Sequence, residues 1–332
     1  MTSTAVDAAR RRIAAGPARD RIAGHLQARY SVAVSGLAEL DLGVYRVDRT
    51  DGPAWVARVF PAVRAESAAA GDAEILAFLE RHGFPAERAA TAEPLSVLDG
   101  QTVLVTEFVP GVARAGRAAA IRDAGGLRRL GELLGELHAL PAADGAPARP
   151  GGAWHHLTDG GPADEIGAML ALLAECADAA TVADRPHYAT LTRELADADG
   201  GDGLPTALIH PDFVLANVIA SPERGMVLVD WTGVGRGPRA WPLAFLLYAE
   251  GAKNPPRADL IVSGYRRQVA LDPAEIERIP AMMRVRPVVL AAWSFCLGRS
   301  SAEQATRAAL NARKVAETVG PRVAAAFRAR PS

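Results

Sequence analysis

The reading that decides the fold starts from Ala207-Leu208-Ile209-His210-Pro211-Asp212-Phe213-Val214-Leu215-Ala216-Asn217-Val218-Ile219-Ala220, followed by Met226-Val227-Leu228-Val229-Asp230-Trp231. Apolar, strand-like runs end or begin at His210, Asn217 and Asp230. Between them Ser221-Pro222-Glu223-Arg224-Gly225 reads as a turn that folds residues 217–220 against 226–229. Two acids and an amide are thereby delivered from strand ends and turns into one small region. Such a cluster suits phosphoryl transfer, in which a protein mainly positions groups and balances charge.

The segments before this stretch give it context. Ser31–Ser35, Val44–Asp48 and Trp55–Phe60 read as strands, the last two joined by the turn residues Asp51, Gly52 and Pro53. Residues 35–43 read as the loop between the first two. Asp72 to His82 carries Ile75, Leu76 and Leu79 on one face and reads as a helix capped by Asp72 and ended by Gly83. Asp99-Gly100, between Val97-Leu98 and Gln101–Phe108, suits a type I′ hairpin. The order is strand, strand, strand, helix, strand, strand, closed by Phe108-Val109-Pro110-Gly111 as a hinge.

Beyond residue 111 the texture changes. Leu127, Leu130, Leu134, Leu137 and Leu140 recur at helical steps until Pro141. Residues 159–202 are helical in pattern and acidic, which reads as a solvated helical face or as a wall for an acceptor; residues after Trp231 are rich in arginine. The apolar run Pro287 to Leu297, flanked by arginines, is too short for a bilayer and reads as a buried helix.

Composition narrows the function classes. The chain has 332 residues and a formal net charge of −1, which argues against a nucleic-acid or membrane-surface binder. Its first residues, MTSTAVDAARRRIAAG, lack the apolar run of a signal peptide. Cys176 and Cys296 have no partner at metal-ligand spacing, so a reduced, cytoplasmic protein is expected. Lys253 and Lys314 are the only lysines.

An Asp, an Asn five residues on, and a second Asp after a hairpin parallel the catalytic loop and metal-binding Asp of kinases. On this spacing Asp212 accepts or orients a substrate hydroxyl proton, Asn217 and Asp230 offer hard oxygen ligands to magnesium, and His210 holds the loop. The plainer alternative is a set of turn-forming Asp and Asn residues with no metal.

HPDFVLAN followed by VLVDWTGVGRGP resembles the HGDxxxxN and DW motifs of the aminoglycoside phosphotransferase and choline-kinase-like superfamily. LGELLGELHALP resembles its leucine-rich helix, TEFVPG its hinge, and AEILAFLERHGFP the helix whose Glu pairs with the nucleotide-binding base. The resemblance covers most of residues 30–250. It implies an α+β, two-lobed protein-kinase-like fold: a small antiparallel-sheet nucleotide-binding lobe with one helix (1–108) and a larger, mainly helical catalytic and acceptor-binding lobe (109–332). It also implies ATP or GTP, magnesium and a hydroxylated acceptor. By carry-over Asp212 is the catalytic Asp, Asn217 and Asp230 are the metal ligands, Glu74 is the helix Glu, and Glu107 and Val109 offer backbone groups to the purine.

Four positions depart from that pattern. Arg58 stands on the strand where a phosphate-binding lysine is expected, facing Glu74 as an ion pair; it binds phosphate through a wider, planar fork. Pro211 replaces the Gly of HGD and removes an amide hydrogen. The Ser35–Gly43 segment is poor in glycine, and Pro242-Leu243-Ala244 replaces a later Asp-Leu-Ala. His138 reads as a polar helix-end contact, and Trp154, His155 and His156 as a surface loop. Three functions remain open: a kinase for an antibiotic, sugar, amino alcohol or natural-product intermediate; a kinase for a peptide Ser or Thr; and a nucleotide-binding pseudokinase scaffold.

Overall fold

The computed structural model describes residues 4–12, 17–111, 121, 123–141, 145–152, 160–177 and 181–329, so Trp154, His155 and His156 lie outside the described residues. The chain adopts the expected α+β architecture, with a small antiparallel-sheet lobe and a larger, mainly helical one. By contact the smaller unit comprises Arg10–Val112 with Val218–Thr232, and the larger comprises Met1–Ala9, Ala113–Asn217 and Gly233–Ser332. Helix α1 (Thr4–Arg12) carries the first of these boundaries.

In the smaller unit α2 (Arg19–Tyr30) precedes a five-stranded sheet of order β1-β2-β3-β5-β4. The strands are β1 (Val34–Asp41), β2 (Val44–Arg49), β3 (Trp55–Val59), β4 (Leu95–Leu98) and β5 (Gln101–Glu107). Period-two alternation along β3 buries Trp55, Ala57 and Val59 against Ile22, Leu26, Val47, Val103 and Val105. Val56 and Arg58 therefore lie on the opposite face, paired across β5 with Thr106 and Leu104. Asp99 and Gly100 both have positive φ (52° and 76°), as a type I′ turn requires.

Two expectations need correction. The segment 35–43 is mostly strand: β1 runs to Asp41 against β2, and only Leu42-Gly43 turns. Its burial pattern does not alternate cleanly, because it is an edge strand with register shifts at both ends. Helix α3 (Glu66–Arg81) begins six residues before Asp72, in a Glu-Ser-Ala-Ala-Ala run of mostly good helix formers. Asp72 is therefore buried in mid-helix, 2.6 Å from Arg64, and caps nothing. Gly83 does follow the helix in the left-handed region, φ 66°.

The hairpin of β7 (Val218–Ser221) and β8 (Gly225–Leu228) forms as read from sequence and belongs to this unit. The chain after α3 runs beside β8: Leu228 N donates to Pro85 O at 2.9 Å, and Glu87 N donates to Leu228 O at 3.0 Å.

In the larger unit α4 (Ala124–Ala139) is capped by Asp123, whose carboxylate accepts from Gly126 N, and it ends before Pro141. It buries Leu127, Leu130, Leu134 and Leu137. Next come α5 (Pro162–Ala177), α6 (Arg185–Ala196) and the two-stranded ribbon of β6 (Thr206–Ile209) with β9 (Gly235–Pro238). The remaining helices are α7 (Ala240–Gly251), α8 (Pro256–Tyr265), α9 (Pro273–Met282), α10 (Val285–Cys296) and α11 (Ala302–Arg328). Pro242 fits in the first turn of α7, where amide hydrogens have no helical partner. Helices α4 and α8 approach to backbone contact: a β-carbon on Gly131 would stand 2.0 Å from Ile261 O, and one on Gly264 would stand 1.9 Å from Arg128 O.

The acidic stretch is not simply a solvated face. Glu165 pairs with Arg286 at 3.0 Å, Glu194 with Arg284 at 2.7 Å and Arg313 at 2.9 Å, and Asp199 with Arg278 at 2.6 Å. The arginine-rich end of the chain thus neutralises the acidic middle. Among the described residues no helix is long and apolar enough to cross a membrane.

Candidate active site

In the smaller unit, the face of β3 opposite the core meets α3 and the end of the β7–β8 hairpin. A small enclosed pocket there is lined by Arg58, Asp72, Glu87, Thr106, Trp231 and Thr232, among others. Arg58 Nη2 lies 2.8 Å from Asp230 Oδ1. Burial works against the guanidinium charge, but Asp230, Glu87, Asp72 and Asp41 outweigh it and hold the Arg58 pKa above its ordinary value. Glu74 is exposed on α3. The ion pair expected between Arg58 and Glu74 is thus made with Asp230 instead. Asp72, one turn before Ile75 and Leu76, takes the buried face of α3 that this acid would have needed.

Glu87 is the acid that sequence reasoning missed. Its Oε1 accepts the Asp230 amide hydrogen at 2.8 Å and its Oε2 accepts from the Thr106 hydroxyl at 3.1 Å. Burial raises its pKa; Arg58 opposes this and the Asp230 charge adds to it. Asp230 has φ 68°, in the left-handed region where a non-glycine residue is uncommon. The Glu87 carboxylate fixes that conformation through the one amide hydrogen it presents. Trp231 packs edge-on against Phe84, with Nε1 donating to Leu228 O at 2.9 Å. Glu107 ends β5 and donates its N–H to Arg88 O; Val109, buried, follows outside any strand or helix.

In the larger unit, β6 ends at Ile209 and releases His210-Pro211-Asp212. His210 is fully buried, with its ring edge-on to Phe213. Its Nδ1 lies 3.2 Å from Asp212 N and accepts that amide hydrogen. The ring closes the loop across Pro211, which has no amide hydrogen of its own to give. Asn217 lies in a single 3-10 turn (Leu215–Asn217), and its Nδ2 donates to Asp212 O at 2.9 Å. That bond commits the amide nitrogen to the backbone and leaves the carbonyl oxygen as the end suited to a cation. Asp212 and Asn217 are thus brought together as one hydrogen-bonded loop.

The Asp212 carboxylate also forms an ion pair with Arg286 of α10, which in turn holds Glu165 of α5. Burial works against the Arg286 charge, but Asp212 and Glu165 outweigh it and raise its pKa. No local signal pointed to this partner, since Arg286 stood only as a flank to an apolar run. His138 is buried on α4 and shares a 2.9 Å hydrogen bond with the Tyr265 hydroxyl. Its pKa is lowered to about 3, by burial first and the Arg239 charge second.

Asn217 in the larger unit and Asp230 in the smaller each offer a hard oxygen, the kind magnesium prefers. Among the described residues no group of three or more His, Cys, Asp or Glu side chains forms a metal cluster.

Residues 36–277 match the model of a phosphotransferase enzyme family. The homoserine kinase of Caulobacter sp. (strain K31) is 27% identical over 225 residues, 64% of either chain, so the match spans less than two thirds of that relative. Among solved structures, the aminoglycoside phosphotransferase from Alicyclobacillus acidocaldarius subsp. acidocaldarius DSM 446 superposes with a TM-score of 0.62 at 15% identity, covering 95% of this chain and 97% of that one. The choline kinase LicA from Streptococcus pneumoniae does so with a TM-score of 0.59 at 15% identity, covering 90% and 98%. At these identities the structures share the fold.

Proposed function

The chain belongs to the phosphotransferase enzyme family, and on that premise we propose that it moves the γ-phosphoryl group of ATP, or of GTP, onto a hydroxyl of a small molecule. The observation that carries this reading is the Asp212 loop. Its backbone is pinned by His210 and Asn217, and its carboxylate is held by a buried arginine.

In the proposed reaction the acceptor oxygen attacks the γ-phosphorus, the bond to the β-phosphate oxygen breaks, and the hydroxyl proton passes to Asp212. His210 keeps the loop in shape. Asn217 and Asp230 are the residues that would hold magnesium, which when bound offsets charge on the phosphate oxygens. Arg58 serves the phosphates in place of a lysine, its bidentate fork suiting an oxyanion. Glu107 and Val109 present backbone groups to the purine. Glu74, exposed and away from the Arg58 ion pair, has no support as a nucleotide contact.

The first acceptor to test is L-homoserine, a small amino acid with a primary hydroxyl, because homoserine kinases are among the relatives. Antibiotics, sugars, amino alcohols and peptide serines follow. One observation favours a second reading, a nucleotide-binding scaffold without transfer: both acids assigned to chemistry are engaged by arginine, Asp212 by Arg286 and Asp230 by Arg58. Product formation with ATP, magnesium and a panel of hydroxylated acceptors separates the two. Asp212→Asn is expected to lower turnover by about 10²- to 10⁴-fold. Full turnover in that variant would refute the catalytic assignment, and nucleotide binding without any transfer would establish the scaffold.

A further inference from the structure

The ions Glu165, Arg286 and Asp212 form a line that runs from interior to surface. Glu165 has no exposed side-chain surface, Arg286 has 2%, and Asp212 has 30%. Arg286 sits in the first turn of α10, with its guanidinium also 5.6 Å from the Phe245 ring of α7. Three helices therefore fix one guanidinium, and its outer end meets the carboxylate of the loop.

A buried ion pair is a weak source of stability, because desolvating two charges offsets most of their attraction. Arg284 and Glu194 show how the neighbouring helices use such a pair for cohesion alone, with Arg284 also reaching Glu194 O and Asp197 O. The Arg286 chain differs in where it ends. Its last member is the partly exposed acid whose backbone is already pinned by His210 Nδ1 and Asn217 Nδ2. Those two bonds set the loop but leave the side-chain torsion of Asp212 open. Arg286 supplies what they do not.

We infer that Arg286, anchored by Glu165, is a positioning residue that fixes the Asp212 carboxylate for proton acceptance. This rests on the reading of Asp212 as the base. Arg286 touches neither acceptor nor nucleotide in this scheme; it acts through Asp212. A carboxylate displaced by about 1 Å loses on the order of a hundredfold in rate, so losing the guanidinium lowers turnover while nucleotide binding stays as it was.

The test uses the full chain with magnesium and ATP, reading ADP release with L-homoserine and without acceptor. Asp212→Asn establishes which of these rates depends on the base. Because Arg286→Met alone strands a buried Glu165 and can unfold the protein, the double variant Glu165→Met/Arg286→Met replaces the pair by apolar side chains of similar bulk. Arg284→Met is the comparison for a buried arginine with a cohesive role only. The expected result is a turnover lowered by about a hundredfold in the double variant, with the KM for ATP changed less than about twofold. In Glu165→Met/Arg286→Ala, which leaves no stranded acid, added guanidinium ion restores part of the rate; it does so in neither Asp212→Asn nor Arg284→Met. Turnover in the folded double variant equal to that of the parent chain, with Asp212→Asn still impaired, overturns the inference and leaves the proposed function standing. If no rate depends on Asp212, both fall together.

Discussion

Buried His138 makes a claim that can be measured at the level of one side chain. Its folded pKa of about 3 lies well below the ordinary value of 6.5, so the unfolded chain binds the proton that the folded chain refuses. Between these values the unfolded state carries more protons, and stability falls as pH falls from about 6.5 toward 3. The expected slope is about 1.4 kcal/mol per pH unit. His138→Gln, which keeps a hydrogen bond to Tyr265 but does not titrate, should lose this component. Urea unfolding near neutrality and near pH 5 should then differ by about 2 kcal/mol less in the variant than in the parent chain. Equal differences would mean that His138 takes up its proton as readily in the fold as in the unfolded chain. Asp212 and Asn217 could be picked out by spacing because their loop is local, six residues closing on themselves. Glu87 and Arg286 could not be found that way. Each reaches its partner through pairings between distant segments, the first along β8 and the second through α10.

Where elements are concerned, turn chemistry and periodicity carried most of the information. Asp99-Gly100 and the 221–225 turn each fixed a hairpin because positive φ, or a tight reversal, leaves few alternatives to those residues. The start of α3 and the extent of β1 were missed for the opposite reason. Alanines carry little amphipathic signal, and an edge strand has no partner on one side to impose alternation. The crossing of α4 and α8 gives a prediction of its own. An added β-carbon would stand only 2.0 Å or 1.9 Å from the facing carbonyl, so Gly131→Ala or Gly264→Ala must push the helices apart. The expected cost is about 1–3 kcal/mol, seen as a lower urea midpoint. Gly167→Ala on α5, where nothing lies within 4 Å, should instead stabilise by about 0.5–1 kcal/mol. If the three variants behave alike, helix propensity rather than close approach governs these positions.

At the scale of the whole molecule, charge is segregated along the sequence and reunited by folding. The acidic middle and basic tail looked like separate surfaces in one dimension, yet Glu165, Glu194 and Asp199 meet Arg286, Arg284, Arg313 and Arg278 in three. No local pattern encodes that pairing. Nucleotide linkage is the property that tests the molecule as one system. A ligand at a hundred times its dissociation constant stabilises by about 2.7 kcal/mol, so ATP with magnesium should raise the melting temperature by several degrees. Arg58→Ala should reduce that rise at fixed nucleotide concentration; an unchanged rise would remove Arg58 from the phosphate site.

The absence of lysine from residues 10–112 and 218–232 has a practical consequence. Reagents that acylate primary amines, including any ferried in by a nucleotide, find no side-chain amine in this unit, because the guanidinium of Arg58 keeps its proton and does not attack an ester. A covalent tag that captures kinases through a lysine of the nucleotide-binding lobe would find no such lysine here.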